Sequence, residues 1–164
     1  MKPVLVCIFA ALLFVFVQPA KADGISREGL MQKLEAIKEL PPMSDPCTSE
    51  FSYFTFNDDP EITSFLINEL DDMRDTGWFD VFKYRYRDYA SQALAEKYKP
   101  EAWPFPSGHS NLNRAIKSKS IPRAAYEDFF SSAKNRKLLQ DSWKDYVRSH
   151  KQRNLRESCL KNGG

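Results

Sequence analysis

The sequence predicts an all-α fold, a small bundle of five to seven helices closed by one disulfide, Cys47–Cys159. Three observations lead there. Residues Lys134 to Cys159 contain neither Pro nor Gly, and Leu139, Trp143, Tyr146, Val147 and His150 recur at helical spacing, with Leu155 further on. Asp59-Pro60-Glu61 packs a helix start into three residues: a cap, a proline at the first helical position and an acid in the first turn. Cys47 and Cys159 are the two cysteines that lie beyond the first two dozen residues.

The chain opens with Lys2, an unbroken apolar run from Val4 to Val17, and a small-x-small site at Ala20-Lys21-Ala22. This is the pattern of a secretory signal peptide over residues 1–22, and the apolar run is too short to span a bilayer comfortably. Residues 23–164 then form a single helical domain, with no further transmembrane segment expected. Export to an oxidising compartment, periplasmic or extracellular, makes a cystine the expected state of Cys47 and Cys159.

The first helix is expected from Ser26 to Leu40, with Leu30, Leu34 and Ile37 on one stripe and Pro41-Pro42 as the stop. Thr48–Asn57 is aromatic and leans helical, though Tyr53 and Phe56 with Thr55 also suit a short strand. After Asp59-Pro60-Glu61, the spacing of Ile62, Phe65, Leu66, Leu70 and Met73 continues a helix that Gly77 terminates. Trp78–Lys99 carries two periods. Phe82, Tyr84 and Tyr86 alternate with Lys83, Arg85 and Arg87 as in a strand, whereas Trp78, Phe82, Tyr86, Tyr89 and Ala93 repeat as in a helix. The helical period lasts longer and runs into good helix formers, so a helix is expected throughout. Pro100–Pro106 reads as a rigid loop presenting the aromatics Trp103 and Phe105. A short helix follows Ser107, another restarts after Ile121-Pro122, and the last is Lys134–Cys159, roughly 37 Å long at 1.5 Å per residue. Its Trp143 face is the expected centre of packing, and the core should use Leu34, Phe65, Leu66, Phe82, Phe129, Phe130, Trp143 and Val147.

Removing Lys2 and Lys21 leaves 22 basic against 22 acidic residues, a balance that argues against a general polyanion binder, and no nucleic-acid partner is expected. The charge is unevenly placed. Asp58–Asp80 holds eight acids against Arg74, and Lys134–Lys161 holds nine bases against three acids. Either the two segments face each other or are solvated, or the acidic one takes a basic partner. Asp71, Asp72 and Asp75, with Trp103 and Phe105, are the binding candidates. No CxxC or HxxxH pair exists, so neither metal nor cofactor is expected.

Pro106-Ser107-Gly108-His109 resembles the central motif of the type 2 phosphatidic acid phosphatase superfamily. The resemblance would give Ser107, Gly108 and His109 roles in binding phosphate and protonating a leaving group. The chain has no Arg-Pro, and the neighbours of His150 do not fit the family's nucleophilic histidine. Leu139-Gln140-x-x-Trp143-x-x-Tyr146 is similar to the last helix of secreted bacterial lysozyme-inhibitor-like proteins, where arginine follows the aromatic directly; here Val147 intervenes. The function expected is that of an exported non-catalytic binding protein, an inhibitor, immunity-type or accessory factor acting on another exported protein. Phosphate-ester hydrolysis at His109, or a structural role in an envelope complex, are the alternatives.

Overall fold

A computed structural model describes residues 25–38, 47, 50–79, 83–100, 103–106, 123–152 and 159. The fold is mostly helical with one two-stranded sheet. In chain order it comprises α1 (Arg27–Glu35), α2 (Ser52–Phe56), α3 (Pro60–Glu69), β1 (Asp75–Phe79), β2 (Lys83–Arg85), α4 (Tyr86–Tyr98), α5 (Arg123–Ser131) and α6 (Ala133–Ser149). The expected signal segment, the Phe82 core position and the Ser107-Gly108-His109 string lie outside the described residues. Among the described residues no helix is long and apolar enough to cross a membrane.

The helix starts follow their capping residues. Ser26 Oγ accepts from the Gly29 N–H at 3.0 Å to open α1. Asp59 Oδ1 accepts from the Glu61 N–H at 2.8 Å to open α3, with Pro60 at its first position. Ser132 caps α6 through the Asn135 N–H. The stops fall earlier than the apolar spacing suggests. α1 ends at Glu35, short of Leu40, and α6 ends at Ser149, so the last helix has 17 residues and is about 25 Å long, not 37 Å. α3 ends at Glu69, short of Met73. Three successive i→i−3 bonds, from the N–H groups of Leu70, Asp71 and Asp72, tighten and then release its last turn.

The largest correction is over residues 75–79 and 83–85, where a strand pair stands in place of the helix expected from Trp78 onward. β1 and β2 run antiparallel, with Asp75 opposite Arg85 and Phe79 opposite Lys83. The register shifts between these ends, and Gly77 stands in that stretch with φ +74°, a left-handed value that glycine adopts without penalty. Gly77 is therefore a strand irregularity, not a helix terminator. Helix does begin at Tyr86, because the next donors are met from outside: the N–H groups of Tyr86 and Arg87 donate to the carbonyls of Arg74 and Asp72. The Asp88 carboxylate reaches back to the Arg85 N–H at 2.9 Å. The helix closes on Lys99, whose φ of 40° is left-handed, just before Pro100.

α4 is the hub. Tyr89, Ala90, Ala93 and Leu94 are fully buried on it, and it packs on α1, α2, α3 and β2. α6 lies across α3 and α5 and sends Trp143 inward, where the indole meets Trp103, Tyr98 and Tyr146 with ring centroids 5.7–6.3 Å apart. Leu34, Phe65, Leu66, Phe129, Phe130 and Trp143 are buried as expected, and Val147 is half-buried against the core. Phe105 is a core residue too, edge-on to Phe129 at 5.0 Å, so the loop aromatics are not presented outward. Cys47 and Cys159 are bonded across 112 residues, with Cα atoms 5.7 Å apart. Closing so long a loop stabilises the fold by about 4–5 kcal/mol in the chain-entropy account.

Among the described residues the Trp143 indole N–H has no hydrogen-bond partner, so packing alone holds the ring. Trp143→Ala should lower the unfolding free energy by about 3–5 kcal/mol in a denaturant titration, and Trp143→Phe should lower it by clearly less. Equal losses for both would place the contribution of this residue elsewhere than in ring packing.

Candidate functional site

The acidic stretch resolves into one cleft and one outlying pair. The early release of α3 turns Asp71 and Asp72 beneath α1, where a cleft of about 480 Å³ opens. Arg27, Glu28 and Met31 of α1 line one wall, and Asn68, Glu69, Asp71, Asp72 and Arg74 the other. Asp71 and Asp72 are thus brought together, as their adjacency suggests. Asp75 is not: it sits on β1, 3.8 Å from Lys83 Nζ.

Glu69 forms the floor. Its side chain is 3% exposed, and Arg27 reaches down to it with Nη2 2.8 Å from Oε1 while remaining 77% exposed itself. Residue 69 falls on the buried side of α3 with Ile62, Phe65 and Leu66, so an acid stands where the helical spacing calls for an apolar residue. That misfit was the available signal for it. The hydrogen bond and charge of Glu69 raise the Arg27 pKa.

Arg74 is clasped by Asp72, with Nη2 2.7 Å from Oδ2 and Nε 3.1 Å from each oxygen. The Asp72 carboxylate also accepts from the Arg74 backbone N–H at 2.9 Å. The guanidinium continues to Glu35 at 3.4 Å and to Met31 Sδ, and lies over the Tyr86 ring. Burial pushes the Asp72 pKa up, but the side-chain and backbone hydrogen bonds from Arg74 outweigh it and leave the carboxyl below its ordinary value. The bond to Asp72 raises Arg74.

Asp71 is exposed and pairs with Arg136 at the start of α6, whose Nη1 also donates to the Phe130 carbonyl at 2.7 Å. Asp58 accepts from Gln152, beyond the other end of α6. At the first of these points the acidic segment pairs with the basic helix, and at the second it meets the chain just beyond it. The other sequence candidates lie away from the cleft: Trp103 is half-buried, stacked on Phe105 at 6.0 Å and part of the Trp143 cluster. Ser107, Gly108 and His109 are outside the described residues, so no geometry joins them to this site.

The cleft can hold positive charge by exchange. Arg27 and Arg74 are mostly solvated while the carboxylates they hold, Glu69 and Asp72, are largely buried, so a cation from outside would take the place of an arginine on a carboxylate that needs a positive partner. Comparison with known protein families, with curated proteins and with solved structures finds no match.

The Asp72 shift fixes a pH dependence. A carboxyl held below its ordinary 3.8 contributes stability that is complete above that value and is lost as pH falls through the lower, folded value. As pH falls below about 4 the wild type should lose more stability than Asp72→Asn. Thermal melts across that range check this, and parallel curves for the two proteins would contradict it.

Proposed function

We propose that this domain is an exported, non-catalytic binding protein, an inhibitor, immunity-type or accessory factor, that engages a basic surface of another exported protein through the cleft beneath α1. The observation that carries the reading is the convergence of Glu28, Glu69, Asp71 and Asp72 on one open cleft, against Arg27 and Arg74. The rigid floor supports recognition: Glu69 is buried on a helix fixed in the core, so its carboxylate is held in place before a partner arrives. The exchangeable part in this reading is Arg27, a long exposed side chain that would leave Glu69 to a lysine or arginine of the partner. Export agrees with the leader-like first residues and with the cystine.

Binding built on such exchange is salt-sensitive, because screening weakens attraction between exposed charges. The mature protein, titrated by calorimetry with a basic secreted protein such as a lysozyme, should bind more weakly as salt rises from about 0.05 M to about 0.5 M. Asp71→Asn with Asp72→Asn should weaken binding by about tenfold. A complex indifferent to both salt and these substitutions, or no binding to basic proteins at low salt, would overturn the reading.

A further inference from the structure

A second surface lies between α3 and the C-terminal half of α6, away from the cleft. It is an open groove of about 330 Å³. Its floor is apolar: Pro60 and Ile67 from α3, Tyr98 from the end of α4, and Val147 from α6. The floor is held firmly. Tyr98 contacts the Trp143 and Tyr146 rings at 6.3 Å, and its hydroxyl lies 3.4 Å from that of Thr63. A volume of this size takes one or two bulky side chains, not a whole helix.

The rim is cationic. Lys144 and Arg148 stand one turn apart on α6 and both line the groove. Their intrahelical partners Asp141 and Asp145, at 3.3 and 2.9 Å, do not line it and are well exposed, so these pairs are screened and exchangeable. The acid that does line the groove, Asp58, already accepts from Gln152.

From this combination we propose that the α3–α6 groove binds a peptide segment of a partner protein carrying a bulky apolar residue flanked by carboxylates. The apolar side chain fills the floor, and the carboxylates replace Asp141 and Asp145 on Lys144 and Arg148. Charge complementarity selects an acidic segment over a basic one, and the floor selects an apolar centre over a polar one. This site is independent of the cleft beneath α1 and would stand if that reading failed.

The test uses the full mature chain and fluorescence anisotropy of the labelled hexapeptide EDLFDE, with EDSSDE and KKLFKK as controls. Saturable binding of EDLFDE alone is expected. Lys144→Glu with Arg148→Glu should weaken it by about tenfold or more, and Ser64→Trp, an exposed wall position whose new ring would fill the groove, should do the same. Asp71→Asn should leave it unchanged. Circular dichroism confirms that each variant is folded. Equal binding of EDSSDE or KKLFKK, absence of saturable binding, or indifference to both Ser64→Trp and the charge reversals would overturn the proposal. So would a dimer of the protein alone that Ser64→Trp dissociates, since a second copy would then occupy the groove.

Discussion

Two cations are buried at opposite ends of α4, and the arrangement of the surrounding helices follows from the need to satisfy them. A charged side chain removed from water is expensive unless it is paired and hydrogen-bonded. Arg87 is fully buried. Its Nη2 donates to Glu127 of α5 at 2.6 Å, its Nε lies 3.4 Å from Asp88, and its guanidinium covers the Phe130 ring at 4.4 Å. Tyr126 donates to Asp88 at 2.9 Å and completes the link between α4 and α5. At the other end Lys97, also fully buried, donates to the carbonyls of Phe54 and Asn57, which close α2. Burial pushes its pKa down to about 8, against the opposing charges of Asp58 and Asp59. Each cation therefore has its acceptors on a different neighbour, and moving α2 or α5 away would strand a charge.

This constraint positions both proposed surfaces. Asp72 and Arg74 give their carbonyls to the first turn of α4, so the wall of the cleft is anchored to the hub. Tyr98, the residue after Lys97, forms part of the groove floor. The side chains of the two proposed surfaces thus project from fixed backbone, with the long cations Arg27, Arg74, Lys144 and Arg148 around them. Rigid carboxylates or apolar floors with exchangeable charged partners lose little entropy on binding.

Much of the helical content was legible in the sequence. Caps such as Ser26 and Asp59 act within a few residues, and local rules capture them. The charge poles were also legible, as was the pairing of two distant cysteines. What local rules missed is instructive. Lys83–Arg85 has the alternation of a strand and the spacing of a helix; pairing with β1, a nonlocal event, decides between them. The hub was misassigned for a related reason. α6 has a clean amphipathic stripe and so looks central, yet it packs on one side. α4 is surrounded, and a surrounded helix has no polar face to reveal it. Its buried Arg87, Asp88 and Lys97 read as solvent-facing in one dimension. Glu69 was overlooked in the same way: an acid on an apolar stripe signals a buried charge only once its partner, 42 residues away, is known.

The central claim is that paired burial of the α4 cations ties the helices together. A double-mutant cycle on Arg87 and Glu127, using Arg87→Met, Glu127→Gln and the double variant in denaturant titrations, measures it directly. The account predicts that Arg87→Met and Glu127→Gln each destabilise, and that the double variant loses less than the sum of the two by about 1 kcal/mol or more. Strict additivity of the two losses would contradict it.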